Sequence, residues 1–270
     1  MRRVYLQGYI IRQFLSFLAV CSFLFLNFAC GLESFYYLDP PSLMHQAYYD
    51  SADKFNDYFS FMTSETSATS DVNYTYLGSD SEFKFIGTEV YYKIYNNVTT
   101  MTSVISKVDT YNSDSTNIAG AAEYLIDTQK YQTLNTSTGT VTPLVKVSGV
   151  NKYCYIRLMD IAGGTEEYQN AICIGTKAVT NSSDSSIETI YYPRRAINSD
   201  YGFNFNSDDD YNPLPKSGDD DVTYSSSATE EGKWYVDMYA ISVGRDNSFS
   251  QSYSKALHLG SVTIDEDDYD

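Results

Sequence analysis

Apolar and polar positions follow three different rhythms along this chain. The first is unbroken: residues 14–28 are nearly all apolar, and the run stops at Ala29-Cys30-Gly31. The second has a period of two. In EVYYKIY, residues 89–95, Val90, Tyr92 and Ile94 fall on one face and Glu89, Tyr91, Lys93 and Tyr95 on the other, which predicts a strand with one face on the core. Aromatic and β-branched runs predict further strands at 58–63, 73–77, 83–86, 141–147, 152–158, 168–174, 188–192, 234–243 and 256–264, punctuated by Gly, Ser, Asn and Asp. The third rhythm is helical. Val98, Met101, Val104, Ile105 and Val108 recur at the spacing of an amphipathic helix of about three turns. A second, weaker helix is predicted over 118–128 through Ala121, Ala122, Leu125 and Ile126.

The first run has the flanks of an export signal. Arg2, Arg3 and Arg12 make a positive leader, and about 15 uncharged residues suit an h-region, whereas a membrane-spanning helix needs about 20. Small residues around a Cys straight after an h-region resemble the lipobox of bacterial lipoproteins. Asn27 and Phe28 depart from the commonest form of that motif, and relaxed lipoboxes of this kind are similar to those of spirochaete lipoproteins. The resemblance implies cleavage before Cys30, a diacylglycerol on its thiol and usually a further acyl chain on the new amino terminus. Two or more chains give stable membrane attachment. The expected address is therefore the cell envelope, with the lipid in a membrane, the outer one by expectation, at its surface or periplasmic face. An ordinary cleaved signal and an uncleaved anchor are the alternatives.

The pattern divides the chain into a signal peptide (1–29), a lipidated N-terminus and tether (30–54) containing Pro40-Pro41, a β-sandwich ectodomain (55–264) and an acidic tail (265–270). Within the tether, residues 44–55 read as a short helix or a first strand. Residues 198–227 carry Asp208-Asp209-Asp210 and Asp219-Asp220-Asp221 around two prolines and read as a long acidic loop or disordered excursion. The last forty residues hold the clearest fold signal. YAISVGRDNSFSQSYSKALHLGSVTI, with Tyr239, Ile241 and Val243 alternating before a polar loop and a closing strand, resembles the end of a fibronectin type III or immunoglobulin-like sandwich. GTEVYYKIYN, residues 87–96, looks like a middle strand of the same fold. The resemblance implies a mainly β fold, an immunoglobulin-like antiparallel β-sandwich with one or two inserted helices, either one extended sandwich or two imperfect ones.

Composition narrows the partners. The chain has a formal charge of −17, and without the three signal arginines 15 basic residues face 35 acidic ones, −20 for the mature chain. Such a field repels phosphate backbones, so no nucleic-acid partner is expected. The 27 Tyr and 14 Phe suit strands and furnish contact area for a protein or glycan ligand. Once Cys21 is removed with the signal and Cys30 is lipidated, Cys154 and Cys173 remain. A two-residue turn at Gly163-Gly164 would set them directly opposite each other, making them a candidate disulfide in an oxidising compartment. Two reduced core cysteines are the alternative.

Candidate chemistry is sparse. His45 and His258 are the only histidines; His258 is expected on the surface face of the final strand, and two isolated imidazoles support neither a triad nor a zinc site. Glu166-Glu167 and Glu230-Glu231 are carboxylate pairs, but neighbours in a strand point to opposite faces, and glycoside hydrolysis depends on distances. Asp208, Asp210, Asn212 and Asp219 follow the ligand spacing of a calcium loop, yet Pro213 stands where a Gly is required. A solvated acidic loop is the better reading. No enzyme, metal or cofactor is expected. The functional expectation is a lipid-anchored, non-catalytic binding or envelope-structural module; an exported carbohydrate-active enzyme and a calcium-dependent adhesion module are the rivals.

Overall fold

The computed structural model describes residues 38–64, 83–161, 168–197, 203–205, 214–228, 230, 232–246 and 250–265. The signal, Cys30, the predicted strand at 73–77, Gly163-Gly164, the pair Glu166-Glu167, Glu231, Asp208, Asp210, Asn212 and the tail beyond 265 lie outside them. In chain order the strands are β1 (Ser42–His45), β2 (Phe59–Met62), β3 (Phe83–Tyr95), β4 (Gln132–Thr133), β5 (Asn135–Thr136), β6 (Val145–Lys146), β7 (Tyr153–Arg157) and β8 (Ala171–Gly175). They continue with β9 (Ile187–Tyr191), β10 (Pro193–Arg194), β11 (Val222–Thr223), β12 (Lys233–Asp246), β13 (Gln251–Tyr253) and β14 (Leu257–Asp265). Between β3 and β4 come two helices, α1 (Val98–Ser113) and α2 (Gly120–Glu123), the latter running into a π turn, Tyr124–Thr128.

The fold is mainly β. One sheet has the order β1-β2-β7-β8-β9, all antiparallel. The other is built on β3 and β12, which pair antiparallel along nearly their whole length. β14 and β13 pair with β12, and β4, β6 and β11 follow one another along the free side of β3. The two sheets share one core: Phe59, Phe61, Cys154, Ile156 and Ile172 from the first meet Val90, Tyr92, Ile94, Val236, Met238 and Leu259 from the second. Each fully buried side chain of this size contributes roughly 1.5–3 kcal/mol.

A third layer of helix covers the outer face of the β3–β12 sheet. Asn97 caps α1 by accepting from the Thr100 N–H at 2.9 Å, and Met101, Val104 and Val108 are its buried stripe. They pack with Tyr91, Tyr95, Tyr235, Tyr239 and Ile241. A helix of this length is marginal by itself in water, so the sheet holds it. The strand EVYYKIY is therefore buried on both faces, not one. Its second face is covered by the helices predicted from residues 98–108 and 118–128, and even Glu89 and Lys93 are 3% and 4% exposed.

Several boundaries differ from expectation. The fold begins before residue 55: Leu38 and Ala47 are buried, β1 forms a sheet edge, and Ala47 lies against Gly260 of β14 in a parallel bridge. β3 runs through Gly87 where a break was expected. The residue takes φ +144°, and the register slips there against β12, so it is a bulge rather than an end. The strand predicted over 188–192 ends at Tyr191, and Pro193 opens a separate short strand, β10, which pairs with β5. The disulfide does not form, and both thiols are free and buried. The register pairs Cys154 with Ile174 and Tyr155 with Cys173, one residue away from that of a two-residue turn. A slip of one sends the two side chains to opposite faces: Cys154 into the shared core, Cys173 onto the outer face with Tyr155 and Val179. Burial pushes both thiols up, that of Cys173 to about 12, which keeps them protonated and inert.

Candidate functional site

The C-terminal end of β3 and the start of β12 leave a gap that the segment after β11 borders. β11 joins β3 in parallel, with Val222 beside Ile94 and Thr223 beside Tyr95. The Asn96 side chain then fixes the next residues: its Nδ2 donates to Ser225 O at 2.9 Å and its Oδ1 accepts from Ser225 N at 2.7 Å. The result is a cleft of about 390 Å³ lined by Tyr224, Ser226, Glu230, Lys233 and Trp234 over the Asn96–Ser225 clasp. Trp234 is 9% exposed and Tyr224 54%, their ring centres lying 6.5 Å apart at 42°. The Glu230 carboxylate accepts from the Tyr235 hydroxyl at 2.9 Å and pairs with Lys233 Nζ at 3.2 Å. The Tyr235 hydrogen bond, then Lys233, hold the Glu230 carboxyl below its ordinary pKa, so it is ionised at neutral pH.

A second polar cluster lies inside the molecule. Asp237 of β12 is fully buried and accepts from Tyr131 OH at 2.6 Å, Ser261 Oγ at 3.1 Å and the His258 ring at 2.8 Å. Tyr95 donates to Tyr131 at 3.1 Å. The other His258 nitrogen meets Gln46 Nε2 at 3.3 Å, so the amide donates to Nδ1 and Nε2–H donates to Asp237. His258 is thus a partly covered link between β12, β14 and the N-terminal segment, not the surface imidazole expected; the ring rests against Tyr239, centres 4.8 Å apart. Ser261 bonds the carboxylate and not the imidazole, so the three residues do not form a nucleophile, base and orienting acid in sequence.

A third cluster corrects the reading of the acidic run as solvated at two of its positions, Asp219 and Asp221, both buried. Arg195 is fully buried and holds Asp221 at 2.8 Å and Asp219 at 2.9 Å through one Nη. Tyr92 OH donates to Asp221 at 2.8 Å and accepts from Ala196 N at 2.6 Å. Burial works against the Arg195 charge, but the Asp221 and Asp219 carboxylates outweigh it and raise its pKa. The carboxylate at the twelfth position of the calcium spacing, Asp219, is therefore engaged by a guanidinium. Asp208, Asp210 and Asn212 lie outside the described residues. Among the described residues no group of three or more His, Cys, Asp or Glu is placed to hold a metal ion.

His45 stacks on Tyr58, ring centres 3.9 Å apart, and its Nε2 meets Asn56 O at 3.0 Å. Of the sequence candidates, Glu230 alone lines the cleft among the described residues. Tyr224, Lys233 and Trp234 were read only as strand or loop. The available signal was that Trp234 is the chain's single Trp, next to the one glutamate pair that follows a serine run. Comparison with protein-family models, curated proteins and solved structures finds no match.

Proposed function

We propose that the chain is a lipoprotein of the relaxed spirochaete kind, attached to the cell envelope through lipid on Cys30, with its sandwich acting as an exported, non-catalytic binding module. The observation that carries the binding role is the cleft beside Trp234. It is preformed and within the size range of small-molecule sites, and the charged groups of its described lining, Glu230 and Lys233, pair with each other. Glycosidase chemistry takes two carboxylates across a scissile bond; the described lining of the cleft supplies Glu230. The anchor rests on the apolar run 14–28 ending at Ala29-Cys30-Gly31. In this reading residues 31–37 connect the lipidated Cys30 to Leu38, which is buried in the fold.

The test is metabolic fatty-acid labelling of the wild type and Cys30→Ser, with protease treatment of intact cells alongside. Label on the wild type and none on the variant is the expected result. Label that persists in Cys30→Ser, or no label on either, removes the anchor. Digestion of the labelled protein on intact cells places the module on the surface; protection places it inside the envelope and favours a structural role there.

A further inference from the structure

We propose that the cleft between β11 and β12 binds a neutral carbohydrate, with a sugar ring laid against Trp234 and Tyr224. This rests on the reading of the domain as a binding module and names the ligand class of that site.

A sugar ring has an apolar C–H face and a rim of hydroxyls that both donate and accept. It is suited by a wall of indole and phenol with a few polar groups at the edge. The cleft has that composition. Trp234 forms its floor and Tyr224, more than half exposed, stands free to cover a ligand. Among the described residues the indole N–H of Trp234, the hydroxyl of Tyr224 and that of Ser226 make no hydrogen bond with protein. That N–H and the two hydroxyls are groups that sugar hydroxyls can satisfy. The volume of about 390 Å³ lies near the lower end of the usual range for ligand sites, fitting one or two sugar rings rather than a peptide.

Charge selects the same class. Glu230 and Lys233 pair at 3.2 Å, so among the described residues of the lining each charge already has a partner of opposite sign. An anion would further have to approach a chain of formal charge −17. A quaternary ammonium is the strongest competitor, since such cations sit over aromatic faces. It would need the Glu230 carboxylate that Lys233 and Tyr235 already occupy, and the Lys233 ammonium would repel it. The hydroxyls of a sugar, in contrast, can bridge a carboxylate and an ammonium without separating them.

Because the chain has one tryptophan, selective indole fluorescence reads this cleft directly. The detergent-solubilised full-length mature protein is titrated with glucose, galactose, mannose, N-acetylglucosamine, maltose and chitobiose, with choline chloride and inorganic phosphate as comparators. The expected result is a saturable emission change with at least one sugar, weakened about tenfold or more in Tyr224→Ala. The exposed Tyr224 side chain makes that variant a safe one for folding, and its unfolding midpoint is checked. No saturable response to any sugar, a response to choline or phosphate only, or an unchanged affinity in Tyr224→Ala overturns the proposal. Reducing ends released from maltose or chitobiose are measured in the same samples. Their release leaves the carbohydrate site standing and overturns the non-catalytic reading, whereas absence of sugar binding overturns the site and leaves the Cys30 anchor untouched.

Discussion

At the scale of single residues, the informative positions are polar side chains in apolar surroundings. Glu89 points into the helix-covered face, 3% exposed. Its Oε2 accepts from the Tyr91 hydroxyl, and its Oε1 has no hydrogen-bond partner. Burial raises its pKa above the ordinary 4.5, against the Tyr91 hydrogen bond and the Arg245 charge; Tyr253 also faces it from β13. A carboxyl whose pKa is raised by folding is protonated in both states below its ordinary value. As pH climbs from there through the raised value, the unfolded chain loses its proton first and stability falls. Glu89→Gln removes that penalty. The urea midpoint of the variant relative to wild type is expected to increase from pH 4 to pH 7; a constant difference across that range would show that burial of Glu89 carries no linkage. Position alone did not reveal this. Glu89 reads in sequence as the solvent-facing member of an alternating strand, and only the helix layer above it makes it costly.

At the scale of elements, two bulged glycines set how segments meet. Gly260 in β14 takes φ +105°, and a Cβ there would stand 2.1 Å from Ala47 O and 2.7 Å from Ala47 N. That close approach lets the N-terminal segment bond the strand through Ala47 N to Leu259 O at 3.1 Å and Ser261 N to Ala47 O at 3.2 Å. Gly260→Ala is expected to cost on the order of 2–4 kcal/mol, strain and clash together, read as a lowered midpoint in chemical unfolding. A loss within about 0.5 kcal/mol, the size of an ordinary surface change, would mean that the N-terminal segment contributes little. Helix α1 was legible from periodicity because its apolar stripe is continuous. β1 was not, since its four residues are exposed or half-buried and what recruits them is pairing with β2, not their own pattern.

At the scale of the whole molecule, Arg195 joins parts that are distant in the chain. It ties the segment after β10 to the loop before β11, and through Tyr92 to the centre of β3. Removing one member of a buried ion cluster leaves the others uncompensated, so Arg195→Ala is expected to destabilise by about 3–5 kcal/mol. Asp219→Asn, which keeps a polar partner for Arg195, is expected to cost less. Equal losses, or a small loss for Arg195→Ala, measured by urea unfolding, would show that the cluster is solvated in solution. The same cluster also positions the cleft, because β11 starts one residue after Asp221.

The sequence by itself determined the mainly β class, the places of most strands and both helices, and it is the source of the proposed address signal. These depend on local chemistry: an apolar run before a Cys, a period of two, a period of 3.6 residues. Only the tertiary structure decided the rest. Register, which turns on a single residue, separated Cys154 from Cys173; layer stacking buried both faces of β3; and an arginine in the segment before the acidic run converted two of its aspartates from solvated charges into core. The cleft beside Trp234 belongs with these, since residues from the end of β3, the segment after β11 and the start of β12 line it, and nothing in the period of any one segment records that they meet.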